Sequence, residues 1–128
     1  MNAGTFLSQS ALVAIGGAAG AWLRFAAGRM VGFGAFPWAT LGINIAGSVA
    51  MGLLAGWLAR YGQGGEHWRL LLGVGLLGGF TTFSAFSLEL ALMIERGTLA
   101  MAFVYAAVSV LAGVAGLFAG LALIRVAA

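Results

Sequence analysis

Residues 70–88 read Leu-Leu-Leu-Gly-Val-Gly-Leu-Leu-Gly-Gly-Phe-Thr-Thr-Phe-Ser-Ala-Phe-Ser-Leu. Nineteen residues without a charge are nearly enough to cross a bilayer, which takes roughly 20 in a helix. The middle of the run is poor helix: two glycines and two β-branched threonines lower the propensity, by up to about 1 kcal/mol per glycine relative to alanine. The stretch therefore reads as a membrane span broken at 78–82. A break at that depth frees carbonyls and amides, which is tolerated only inside protein or beside water. Freed carbonyls can hold a hard cation, and amides at the start of a half-helix can face an anion. A continuous helix with a packing seam is the alternative.

Working outward, three more uncharged runs occupy 7–23, 38–59 and 97–124. The first is short and is expected to continue past Arg24 toward Val31. Hydrophobic residues make up 62% of the 128 and charged residues 7%, too few to cover a water-facing surface. Segments of about ten alternating residues, the mark of a membrane barrel, are absent. The expectation is an all-α membrane protein, one domain over 1–128, with spans at about 7–31, 38–60, 69–94 and 98–125. Gly32, Gly34 and Pro37 suit a first turn, 61–69 a middle loop and 95–97 a last turn. Residues 1–6 carry no basic residue, so a signal peptide's n-region is missing and the first span is expected to be retained.

Gly16/Gly20, Gly28/Gly32, Gly52/Gly56, Gly75/Gly79 and Gly116/Gly120 are small-xxx-small pairs, which let helix backbones approach closely. With 22 glycines some pairs arise by chance, so they predict tight packing without fixing an interface. Six scattered arginines form no basic cluster, and nucleic acid is not an expected partner. Four spans put Arg60, Arg69 and Arg125 on one side of the membrane. Arg29, Arg96 and, by position, Arg24 fall toward the other, so the positive-inside rule returns a near-tie. A chain inserting in both orientations shows such a tie, and so do small proteins with weak bias. Four thin helices leave little interior for a pathway, so anything that crosses would cross between subunits.

Polar groups in lipid are costly and point to function. Thr40, Asn44 and Ser48 share one face of the second span, either as interhelical hydrogen bonds or as the lining of a polar path. Phe83 and Phe86 flank hydroxyls beside the break. Ring edges carry the positive part of the aromatic quadrupole and suit a small bare anion, although phenylalanine in lipid is ordinarily filler. Glu89 follows as a proton carrier, a paired group or part of a wet vestibule. Tyr105, Ser109 and Gly113 repeat the four-residue spacing in the fourth span. His67 is the only histidine and there is no cysteine, so nothing supports catalysis or a side-chain metal site.

Gly-Ala-Trp-Leu-Arg at 20–24, Pro-Trp-Ala-Thr-Leu-Gly-Ile-Asn at 37–44 and Gly-Gly-Phe-Thr-Thr-Phe-Ser-Ala-Phe-Ser at 78–87 resemble the small fluoride channels of the Fluc or CrcB family. The likeness covers nearly the whole chain. It implies a passive fluoride channel that exports the toxic ion across the bacterial cytoplasmic (inner) membrane, assembled as an antiparallel, dual-topology homodimer with two pores between its subunits. The resemblance assigns Phe83 and Phe86 as ring-edge contacts to fluoride, Asn44 as a hydrogen-bond donor and Arg24 as the source of positive potential at a vestibule. It places Thr40, Ser84, Tyr105 and Ser109 along the pore. It also implies a structural Na+ on the main-chain oxygens of Gly78 and Thr81 and of the same pair in the partner. Ala85 and Gly113 stand where some relatives carry a hydroxyl. The runner-up is a small multidrug-type proton-coupled exporter, which needs a carboxylate in the first span, and 7–31 contains none. A third option, an assembly subunit that transports nothing, has no use for Asn44 and the broken segment together.

Overall fold

The computed structural model describes residues 2–62 and 64–127. Helix α1 spans Ala3–Val31 and α2 spans Trp38–Tyr61. A third rod begins with α3 (Gly65–Trp68), continues as a π-helical stretch (Arg69–Leu77) and ends with α4 (Gly78–Phe80). After the break come α5 (Phe83–Glu95) and α6 (Leu99–Val126). Among the described residues four helical rods are long and apolar enough to cross a membrane, the third being Gly65–Glu95 counted through its break. No strand occurs among the described residues.

Local chemistry sets the ends. Asn2 caps α1, its Oδ1 accepting the Thr5 N–H at 2.8 Å. The end of α5 is a Schellman turn: Gly97 takes positive φ, the Thr98 N–H reaches back to the Met93 carbonyl, and the Gly97 N–H reaches that of Ile94. The stretch 61–69, expected as a loop, is mostly helical, because the chain turns at Gly64 with positive φ and winds again from Gly65. Gln63 of that stretch lies outside the described residues. His67 therefore sits on an exposed helical turn. The π-helical winding was not foreseen. The Gly78 N–H bonds the Gly73 carbonyl, five residues back. Glycine-rich backbone gives up α geometry cheaply, and no side-chain pattern in 69–77 advertises the change.

Packing resolves the glycine pairs into two seams. α1 lies along the first half of the third rod, and α2 lies along α6. A Cβ on Gly20 would overlap the Leu76 carbonyl and stand 2.8 Å from the Phe80 amide; one on Gly75 would stand 2.9 Å from Gly16 Cα. On the other seam, a Cβ on Gly52 would overlap the Leu117 carbonyl and one on Gly120 that of Val49. Along both seams contacts advance in the same direction, so each pair runs parallel. Gly28 has nothing within 4 Å of its Cβ position and belongs to neither.

The core is small and lies around α5: Leu41, Phe86, Met93, Ala102 and Tyr105. Large apolar side chains such as Phe103, Phe118, Leu111 and Val110 face outward, as expected where lipid is the solvent. Trp57, Tyr61 and Trp68 cluster at the end bearing Gly62 and Gly64, with ring centroids 6.4 Å apart in both Trp57 pairs.

Candidate functional site

The break occupies Thr81 and Thr82, both extended, while Gly78–Phe80 stay helical. The glycines weaken the rod, but the threonines carry the interruption. Thr82 is the N-cap of α5, with Oγ1 accepting the Ala85 N–H at 3.1 Å. Asn44 pairs with Thr82 as a peptide would in a sheet. Its Nδ2 donates to the Thr82 carbonyl at 3.0 Å, and its Oδ1 accepts the Thr82 N–H at 2.8 Å.

These side chains divert two donors that a continuous helix would use elsewhere. In unbroken α winding the Thr82 N–H would reach the Gly78 carbonyl, and the Ala85 N–H that of Thr81. Asn44 and the Thr82 hydroxyl take them instead. The carbonyls of Gly78 and Thr81, the two positions the resemblance selects, thus lose their helical partners. Bare carbonyl oxygens are the ligands a hard cation takes, and Gly78 is exposed on the surface of the chain. The donor type fits a small alkali cation.

Two cavities meet at Thr82, which lines both. The larger, about 580 Å³, opens at the end carrying 32–37 and 96–98, and its lining includes Arg24, Arg29, Arg96, Thr40 and Glu89. The smaller, about 340 Å³, gathers Asn44, Ser48, Phe83, Phe86 and Ser109 and has no charged residue in its lining. Phe83 and Phe86, at the start of α5, line it near the positive end of the helix dipole. Phe83 is 80% exposed and Phe86 9%, with centroids 5.6 Å apart. One ring thus faces out of the chain while the other is held in the core. The Ser109 hydroxyl is buried without a partner among the described residues. Once the Asn44–Thr82 pair is made, one Nδ2 hydrogen of Asn44 is left over.

Of the residues selected from sequence, Arg24 and Thr40 fall at the larger cavity, and Asn44, Phe83, Phe86 and Ser109 at the smaller. Ser84 is exposed, its hydroxyl 3.3 Å from that of Thr82. Tyr105 is fully buried behind Phe86 and donates to Glu89 Oε2 at 2.7 Å, while Thr40 donates to Oε1 at 2.6 Å. Glu89, left open in sequence, is thus both a hydroxyl-bonded acceptor and part of the vestibule lining. Ser48 bonds back to the Asn44 carbonyl within its own helix. Sequence reasoning passed over Thr82 as a site residue, although a threonine three residues ahead of an α-helical amide is a recognisable cap. It also left Arg29 and Arg96 as topology markers only.

Four apolar rods, two glycine seams and a mid-membrane helix break beside an uncharged cavity define a small polytopic membrane protein built around an ion path. The CrcB-like protein, Camphor Resistance (CrcB) family model matches residues 11–121. A protein of Novosphingobium aromaticivorans called Fluoride-specific ion channel FluC is 60% identical over 124 aligned residues, covering 93% of this chain and 98% of its own. Proteins of the same name from Caulobacter sp. and Phenylobacterium zucineum are 52% and 59% identical, covering 93% and 89% of this chain and 96% and 93% of their own. The chain belongs to the CrcB family, as the residues at 20–24, 37–44 and 78–87 indicated.

Proposed function

We propose that this chain is a fluoride-selective passive channel, and not an enzyme, that releases toxic fluoride across the bacterial cytoplasmic membrane. The observation that carries the reading is the smaller cavity, lined by two phenylalanine residues, Asn44, the buried Ser109 and the N-cap of α5, without a fixed charge. A small, strongly hydrated anion needs several donors to replace its water, yet a cation in the path would trap it. Ring edges and neutral donors meet both demands. Arg24 at the adjoining vestibule raises the local potential and concentrates anions before they enter.

The working unit in this reading is an antiparallel homodimer. A single chain presents Phe83 outward and carries each cavity on its flank, so a second copy would close the path. The near-tie of arginines across the membrane supports insertion in both orientations. The Gly78 and Thr81 carbonyls of both chains would hold the central Na+, whose positive charge pins the two breaks together. The proton-coupled exporter is not favoured: α1 carries no acid, and Glu89 is engaged by two hydroxyls on the other side of the vestibule.

Expression in a bacterium lacking its own fluoride exporter tests the biological role. Growth on fluoride should be restored, and an unrescued strain with the protein in its membrane would count against export. Reporter fusions at both termini and beside Gly64 should give mixed orientation; a single orientation would refute dual topology.

A further inference from the structure

We propose that the cavity lined by Arg24, Arg29 and Arg96 binds a phosphate- or sulfate-class oxyanion, which seats at the mouth and obstructs the route past Thr82. The binding claim stands alone, whereas the obstruction rests on the channel reading.

Three of the chain's six arginines line this one cavity, against a single carboxylate, Glu89, already engaged by Thr40 and Tyr105. Among the described residues Glu66 pairs with Arg69 at the opposite end, and no side-chain hydrogen bond or ion pair engages Arg24, Arg29 or Arg96. Arg24 is half-buried, about 10 Å inside the end of α1 at 1.5 Å per residue. A cation at that depth is costly unless an anion compensates it. Guanidinium groups match tetrahedral oxyanions through paired N–H donors, and a divalent ion gains from each arginine twice what a monovalent ion does. A space of 580 Å³ holds such an ion with part of its water shell, at about 30 Å³ per water.

The same ion could not continue. Beyond Thr82 lies the uncharged cavity, where a divalent anion would lose its counter-charge. It would bind without permeating.

Inorganic pyrophosphate is the probe, titrated by calorimetry onto the purified protein in lipid nanodiscs at constant ionic strength, since screening alone weakens such contacts. Saturable binding is expected. Arg29→Gln and Arg96→Gln should each weaken it about threefold and the double variant about tenfold, as for exposed ion pairs acting additively. Both side chains are exposed, so the fold should persist. Arg125→Gln, at the other end of the molecule, should bind as wild type does. Absence of saturable binding, or a double variant that binds normally, overturns the site.

Discs of phosphatidylcholine and of phosphatidylglycerol separate the sources. Binding in both supports a free anion, and loss only in phosphatidylglycerol supports the lipid's phosphate as the resident. In fluoride-loaded vesicles pyrophosphate should slow efflux by wild type more than by the double variant. Binding without slowing overturns the obstruction. A protein that binds pyrophosphate but passes no fluoride overturns the channel reading and leaves the site standing.

Discussion

Replacing Asn44 with alanine removes both hydrogen bonds that hold the third rod open at Thr82, at 3.0 and 2.8 Å. The loss would be modest if water could replace the amide. Here the Thr82 N–H and carbonyl are partly buried, and side-chain hydrogen bonds within membrane proteins contribute about 0.6 kcal/mol on average and up to about 1.7. Leaving a buried backbone group unpaired costs roughly 1–3 kcal/mol. Two bonds together therefore point to about 2–3 kcal/mol. The chain has one escape, since the Thr82 N–H can return to the Gly78 carbonyl and extend α4 across the break. That repair recovers part of the stability and destroys the geometry, because it re-engages the Gly78 oxygen and reorients the first turn of α5. A small drop in thermal stability, followed by tryptophan fluorescence in detergent, is expected together with near-complete loss of fluoride efflux from vesicles. A variant that loses the expected stability but conducts normally would show that Asn44 is a strut and the open break is not required. A variant unchanged in both respects would refute the reasoning outright.

The other predictions use neighbouring features. Thr82→Ala removes the cap of α5, should cost about 1 kcal/mol, and returns the Ala85 N–H to the Thr81 carbonyl; a melting temperature equal to wild type would contradict the cap. Phe83→Ile should slow fluoride flux strongly with no loss of stability, because that ring is exposed. Phe86→Ile should slow flux and cost in addition about 1 kcal/mol in the core. Undiminished flux in both would remove the ring-edge contacts. Gly20→Val should disrupt folding, since even its Cβ overlaps the Leu76 carbonyl. Gly28→Ala should be tolerated or gain up to about 1 kcal/mol from helix propensity, and equal melting curves for the two would refute the seam.

The four-rod plan was legible because lipid imposes it: length, missing charge and helix period suffice when every backbone group must be satisfied within the chain. The break was legible from Gly78–Thr82, but its place within that stretch was not. Propensity cannot say whether the glycines or the threonines will unwind. The answer depends on Asn44, 38 positions away from Thr82 and reaching it only after α2 has packed. The glycine pairs were visible as a pattern, yet pairing Gly16/Gly20 with Gly75/Gly79 needed the parallel register of two rods separated by a third. The π-helical turns of 69–77 left no trace that α-helical periodicity would miss. Glu89 stayed ambiguous in sequence because its partners, Thr40 and Tyr105, lie on two other helices.

In the proposed channel a small anion crosses where ring edges, neutral donors and a helix break meet. Purified protein in liposomes loaded with both fluoride and chloride, followed with two ion-selective electrodes after the membrane potential is clamped by valinomycin, tests it most directly. Rapid loss of fluoride with retention of chloride is expected. Equal loss of the two ions, or loss of neither, would contradict it.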